Sequence, residues 1–510
     1  SNNSDFKLNL NSSLNMKFKN IKLKAHITVF ITLVLIIISG LLFTLIHSAI
    51  YTSLQFSFNM ACRMALEGTF AGFNNEVFEK YGIYILKDDG SEDVIKRIIR
   101  DNISESSLDF LELNTTKDIY ITDNNGEHFY NQTLDYMSHE GIGEEIEKYA
   151  GMLKSDDTKQ KTDFNSDMEK LNELIDVDMS ESEMRDKLKE LKAGGGVNSG
   201  SLGADIDSKM NNLDKGGQES ETNVELPKVS GNLYDKMKSA GENSVDEILK
   251  TEHISDKNIN DISFASYASD SDASQEGENE SKTFVNNEIF REYLTLKFSS
   301  FTEQKEENEL LDYQLEYILT GKKSDKENIE GVTKRLKLIR EGINVAYIFS
   351  NSKMRSEAKA LASELFGWTG NALLVEIAEY GIILLWGYAE SIADVKALLN
   401  GDKTPLVKSE STWHVSIVDL VSLNYEPDKE KCNTGIKYNE YLRILLSMDG
   451  VDTQVLRAMD MIELHMIGKG ESEFKMSEYI SEKNITAKCN LPYRRKEYIV
   501  DAEYAYSNRV

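Results

Sequence analysis

Residues 27–46 read ITVFITLVLIIISGLLFTLI, twenty residues without a charge. A helix of that length crosses a hydrocarbon core of roughly 30 Å. Lys17, Lys19, Lys22 and Lys24 precede it, and the next basic side chain is Arg63. By the positive-inside rule residues 1–26 form a basic cytoplasmic tail, residues 27–46 the transmembrane helix, and the bulk of the chain lies outside the cell. A signal peptide carries a shorter apolar core, about 7–15 residues, followed by small residues at the cleavage site. Here His47-Ser48-Ala49 puts a bulky ring at one of those positions, so the segment reads as a retained anchor. Residues 1–15 read as a leader outside the fold, with Met16 as the start.

The remainder is strongly acidic. Net charge is −28 over 510 residues, while residues 1–26 set five lysines against Asp5. Such an ectodomain repels nucleic acid, which excludes that class of partner, and its acidity serves solubility. Three cysteines in so long a chain make no disulfide framework. Cys432 and Cys489 are the one pair placed for a bridge, with two free thiols as the alternative.

The chain divides by composition. From Ala25 to Cys62 there is no Asp, Glu, Lys or Arg, and the first proline is at 227, so the first helix is expected to run on to about residue 80. Residues 47–149 form the N-terminal part of the ectodomain. On the outer helix Ile50, Leu54, Phe58, Ala61 and Ala65 recur at steps of three and four, the mark of one buried face. Ala61, Ala65, Gly68 and Gly72 form a small-residue stripe that admits a close helix neighbour, either the protein's own ectodomain or another subunit. Tyr81–Leu86 reads as a strand, and residues 118–130, DIYITDNNGEHFY, as a hairpin about Asn124-Asn125-Gly126. That turn is no calcium loop, since Ile121 stands where the first oxygen ligand belongs. Residues 150–283 are polar and rich in Gly, Ser and Asn, and read as a largely flexible insertion.

Order returns in residues 284–510, a helix-rich C-terminal core. Ser324 with Glu327 makes a capping box ahead of Ile329, Val332, Leu336, Ile339 and Ile343. Leu373–Leu399 is the most apolar run after the anchor and closes at Asn400-Gly401. Trp413–Leu420 reads as a strand, Tyr438–Met448 and Thr453–Met466 as helices, and Tyr498–Tyr506 as a closing strand. The whole is α+β and helix-rich.

No catalytic, cofactor-binding or metal constellation is legible. The seven histidines include no His-Glu-x-x-His, and neither a phosphate loop nor a Gly-x-Ser-x-Gly elbow occurs. Glu463 and His465 stand two apart and point to different helix faces. Glu390 and Asp394 lie in apolar company, as do Glu316 and Arg340. Buried carboxylates need partners, and Glu316, Arg340 and Glu390 are expected to form a structural ion-pair network. A pocket with paired carboxylates for acid–base work is the weaker alternative.

Several motifs carry a resemblance. They are Tyr313–Lys322 (YQLEYILTGK) with Ser324, Asp325 and Asn328, and Leu338–Asn344 (LIREGIN). Trp386–Ser391 (WGYAES) follows with Asp394 and Pro405–Lys408, then Tyr438–Arg443 (YNEYLR) and Met459–Leu464 (MDMIEL). Together they resemble a bacterial domain family of unknown function, number 5702. The resemblance implies a single-anchor envelope protein of Gram-positive anaerobes, encoded beside assembly genes of the tight-adherence (Tad) pilus, and pseudopilin-like. It implies no catalytic residues. The chain departs from the family at His47 and Ile50, where members carry an acid and then an arginine. It also lacks the Glu that a pilin peptidase site needs five residues after Gly40, which argues against processing like a major pilin. The functional expectation is a non-enzymatic, membrane-anchored component of a Tad-type pilus or secretion apparatus, with pilus or envelope proteins as partners. The alternative is a stand-alone binding, adhesion or sensing ectodomain.

Overall fold

The computed structural model describes residues 5–103, 108–140, 244–250, 253–267, 283–306, 308–492 and 497–507. Most of the 150–283 insertion lies outside them. The chain forms two compact units. The first comprises Ser1–Asn74, Ile85–Tyr120 and Tyr479–Tyr506; the second comprises Asn75–Tyr84, Ile121–Glu478 and Ser507–Val510.

Unit 1 is built on α1 (Asp5–Phe70), 66 residues and about 100 Å long at 1.5 Å per residue. Its apolar stretch is bare, with none of the most hydrophobic window buried. Further along, Phe58, Ala61, Cys62, Ala65, Leu66 and Phe70 are buried. They pack on Ile95, Ile99 and Ile103 of α3 (Ser91–Ile103) and on the inner face of a small antiparallel sheet. The sheet centres on β3 (Tyr479–Asn490). β2 (Asp109–Tyr120) pairs along one edge, and β1 (Leu86–Lys87) and β4 (Glu497–Ala505) also pair with β3. In β3, Ile485, Ala487 and Cys489 are buried while the residues between them are half-buried, the period-two signature of a sheet with one covered face. Burying each Phe or Leu of this seam contributes about 1.5–3 kcal/mol.

The first helix stops at Phe70 rather than near residue 80. Gly72, Phe73 and Asn74 are weaker helix formers, Gly72 above all, and the Asn74 N–H donates to the Ile85 carbonyl instead of continuing the ladder. A separate helix, α2 (Asn75–Tyr81), follows. The expected strand at Tyr81–Leu86 shrinks to β1, because Gly82 turns left-handed (φ 71°) directly under the Tyr136 ring.

Unit 2 is helical. α4 (Asp123–Glu140) takes the place of the second arm of the expected hairpin. Asn124, Asn125 and Gly126 all adopt left-handed φ, at 51°, 56° and 72°, and send the chain into a helix that buries Phe129, Tyr130, Leu134 and Met137. A side chain at Gly126 would strike Met459 and Val455. Gly126→Val is therefore expected to cost about 1–3 kcal/mol through overpacking, with backbone strain in addition, measurable by urea unfolding.

α5 (Ser244–Leu249), α6 (Phe284–Lys297) and α7 (Gln314–Thr320) lead to α8 (Asp325–Ser350), which Ser324 caps through the Glu327 N–H. α9 (Ser352–Phe366) and α10 (Ala372–Leu399) follow. α10 is long and apolar enough to span a membrane, yet Ile382 to Leu399 are buried on every side, so it is the core helix of the unit. α11 (Ile417–Ser422) replaces the expected strand at Trp413–Leu420: Ser416 and Asp419 form a capping box, and only Trp413–Val415 stay extended. α12 (Tyr438–Met448) and α13 (Val451–Gly468) complete the unit.

Candidate functional site

Helical spacing builds the most concentrated group of charges. Glu390 and Asp394 stand one turn apart on α10, and Arg340 and Asn344 one turn apart on α8, so each pair shares a face. The Asp402–Val415 loop adds Lys408 and His414. All six side chains are buried. Arg340 donates through Nε to Asp394 Oδ2 at 2.9 Å, through Nη1 to the Leu406 carbonyl and Tyr441 hydroxyl, and through Nη2 to Asn344. Asn344 Nδ2 donates to the same Asp394 oxygen at 2.9 Å. The Lys408 ammonium lies 2.7 Å from Glu390 Oε1 and 2.5 Å from Asp394 Oδ1, and donates to the Thr412 carbonyl at 2.9 Å. Glu390 also accepts the backbone N–H groups of His414 and Val415, and this satisfies the extended segment that the sequence suggested was a strand.

The electrostatics follow from enclosure. Burial pushes Glu390 above the usual carboxylate range, although Lys408 opposes it. Burial acts on Asp394 in the same sense, but Arg340 and Lys408 outweigh it and hold Asp394 below its ordinary value. Burial, then Lys408, lower His414 to about 4, so the imidazole is neutral. Its Nδ1 accepts the Asp428 N–H. Two cations thus face two carboxylates, and the charges balance.

Glu390, Asp394 and His414 could by distance hold a metal ion. The donor set does not fit one. Lys408, itself wholly buried, already bridges both carboxylates, and a divalent ion would add charge to a neutral, enclosed cluster. Nor is there a free base for acid–base work, because both carboxylates are committed to fixed donors. The arrangement clamps α8, α10 and the Asp402–Val415 loop together.

The expected Glu316–Arg340–Glu390 network does not exist as one cluster. Arg340 takes Asp394 as its acid, Glu390 takes Lys408 as its cation, and Glu316 lies apart on α7. There Glu316 accepts the Phe301 N–H and the Tyr438 hydroxyl, each at 2.9 Å, and burial raises it to about 7. Lys408, Asn344, His414 and Tyr441 were not legible as members; the Glu390/Asp394 spacing was the available signal. His465, set aside on sequence, meets Glu309 and Lys80 instead.

In unit 1 the small-residue stripe splits. Ala61 and Ala65 are buried in the unit's own core, which closes them to another chain, whereas Gly68 and Gly72 are exposed. Cys432 and Cys489 are not bridged: all three cysteines are free. Cys432 Sγ donates to the Asp428 carbonyl, and Cys489 faces the unit 1 core beside α1. Burial raises Cys62 and Cys489 to about 12 and Cys432 to about 11, so none is a ready nucleophile. An open cleft of about 740 Å³ in unit 1 sets Arg63 against Glu67, Asp501 and Glu503.

These features define a helix-rich α+β protein with an apolar N-terminal helix suited to anchoring and a charge cluster that is structural in character. The model of a family of unknown function, DUF5702, matches residues 223–491, just over half of the chain, and the chain belongs to that family. No curated protein and no solved structure matches it.

Proposed function

We propose that the protein is a membrane-anchored, non-enzymatic, extracytoplasmic component of a Tad-type pilus or related secretion apparatus, pseudopilin-like in plan. The observation that carries this reading is the division of labour along α1. One continuous helix is apolar and bare through Ile46, then buries one face against a four-stranded antiparallel sheet. The first part suits lipid; the second fixes a folded head to it. Lysines on the N-terminal side support a head outside the cell.

The opposite face of the outer helix is also apolar. Phe56, Met60 and Met64 follow one another at steps of four and are 65%, 39% and 47% exposed. This stripe, rather than Ala61 and Ala65, is the face available to a neighbouring subunit.

A photo-crosslinker placed in turn at Met60 and Ala61 tests the reading in cells that assemble the pilus. Met60 is expected to trap a pilus or envelope protein and Ala61 to give only internal products. Protease added to intact, wall-stripped cells should remove the head. A head that stays protected in sealed cells inverts the topology. A shaved head with no adduct at Phe56, Met60 or Met64 favours the stand-alone ectodomain.

A further inference from the structure

Unit 2 gathers a second set of charged groups that the clamp does not use. Lys80 lies in the last turn of α2, Glu306 and Glu309 in the loop between α6 and α7, and His465 near the end of α13. Lys80 Nζ is 2.5 Å from Glu309 Oε1, 3.0 Å from Glu306 Oε2 and 3.0 Å from His465 Nδ1. A positive centre therefore sits in a tripod of two carboxylate oxygens and one imidazole nitrogen, with ligand atoms within 4.8 Å of one another. We propose that Glu306, Glu309 and His465 form a binding site for a divalent cation of the zinc class, for which the Lys80 ammonium competes.

Three observations support a metal over the ammonium alone. His465 Nδ1 is 2.8 Å from Glu309 Oε1 as well as 3.0 Å from Lys80 Nζ. Protonated, that nitrogen donates to Glu309 but points its hydrogen at an ammonium. Bare, it accepts from Lys80 but sets its lone pair against a carboxylate lone pair. One contact is unfavourable either way. An ion that takes a lone pair from each donor removes the conflict. With bonds of about 2.0–2.1 Å at tetrahedral angles, neighbouring donors stand roughly 3.3 Å apart, so Glu309 and His465 need part by only about 0.5 Å to take the ion.

The second observation is the Tyr81 hydroxyl. It is fully buried, has no hydrogen-bond partner, and lies within electrostatic reach of Glu309 and Glu306. The Tyr81 ring stands edge-on to His465 at 5.7 Å. A water completing the coordination shell supplies the partner that hydroxyl lacks. The third is charge: two carboxylates against one ammonium leave one negative charge over, whereas a divalent ion in the ammonium's place matches both carboxylates. The Glu306 side chain, 39% exposed, provides the way in. This differs from the Glu390–Asp394–His414 group, where charge is balanced and the way in is shut.

The test uses chelator-washed full-length protein in detergent, independent of where the chain sits in the cell. Zinc is measured by equilibrium dialysis and cobalt by its visible absorption. The wild type should take up one Zn²⁺ per chain and give a Co²⁺ spectrum. Glu306→Gln, at a half-exposed position that leaves the fold intact, should bind at least roughly tenfold more weakly, and Lys80→Met roughly tenfold more tightly. If Lys80→Met fails to fold, the wild-type spectrum and Glu306→Gln decide between them. No zinc uptake and no cobalt spectrum in the wild type, or Glu306→Gln binding as well as the wild type, reduces the group to an ammonium clamp.

Discussion

Asp394→Ala is expected to destabilise unit 2 by about 3–5 kcal/mol, the cost of removing one partner from a buried ion pair. Asp394 receives Arg340 and Asn344 on one oxygen and Lys408 on the other, and none of these charged side chains reaches solvent. Its loss leaves two buried cations facing Glu390 alone. The double variant Arg340→Met with Asp394→Leu is expected to cost clearly less. It removes one charge of each sign and leaves Lys408 paired with Glu390, and apolar replacement of a whole buried pair is often close to neutral. Tryptophan fluorescence during urea unfolding is the measurement. The three tryptophans, Trp368, Trp386 and Trp413, all belong to unit 2, so the signal reports that unit alone. Trp386 and Trp413 both donate to the Val415 carbonyl at 2.7 Å, next to the N–H that Glu390 holds, which sets the probe beside the clamp. A double variant as unstable as Asp394→Ala would show that packing, not charge balance, holds the site.

The apolar first helix and the core helix of unit 2 were legible because each rests on a long run of one chemistry. Ile27–Ile46 has no charge, and Leu373–Leu399 closes at Gly401, which takes the left-handed φ of 84° that a glycine favours. Short windows misled. Residues 118–130 alternate like a hairpin, but the helical repeat of Tyr130, Leu134 and Met137 emerges only beyond that window. The central strand β3 escaped notice because its covered face carries Ser481 and Lys483 among the apolar residues. Lys483 is tolerated there by ion pairs to Asp88 at 3.1 Å and Asp118 at 2.5 Å, partners about 365 and more residues away in sequence. The charge cluster was half legible for the same reason. One-dimensional spacing shows which acids share a helix face, but the cation that meets them arrives on a loop, and only the folded chain brings Lys408 to Glu390.

The stability of unit 2 should rise on acidification from pH 8 to about 5, against the usual behaviour of an acidic protein. Two carboxyls contribute most; Glu390 acts in the same sense, and buried His414, lowered from 6.5 to about 4, opposes part of the gain below about pH 6.5. Burial raises Glu316 from 4.5 to about 7, and its second oxygen has no hydrogen-bond partner. Burial, reinforced by Glu463, raises Asp460 from 3.8 to about 7, although the Tyr267 N–H and Tyr317 hydroxyl both donate to it. A carboxyl whose folded value lies above its unfolded value binds more protons in the folded state. Its contribution is complete below the unfolded value, near 4, and is lost as pH rises through about 7. Each group corresponds to about 3–4 kcal/mol at most. The acid limb has the opposite sign. Burial disfavours ionised Glu309, yet His465 and Lys80 prevail and lower it to about 2, so the stability it supplies is lost as pH falls below about 4.5. Asp394, also held low, acts in the same direction. Urea unfolding followed by tryptophan fluorescence should therefore peak near pH 5. Glu316→Gln and Asp460→Asn, which keep the shape without the titration, should each flatten the limb between pH 5 and 8 while leaving the acid limb in place. A wild-type curve that is level or climbs from pH 5 to 8 would mean that these two carboxylates stay ionised in the folded state, stabilised by the tyrosine and backbone donors around them.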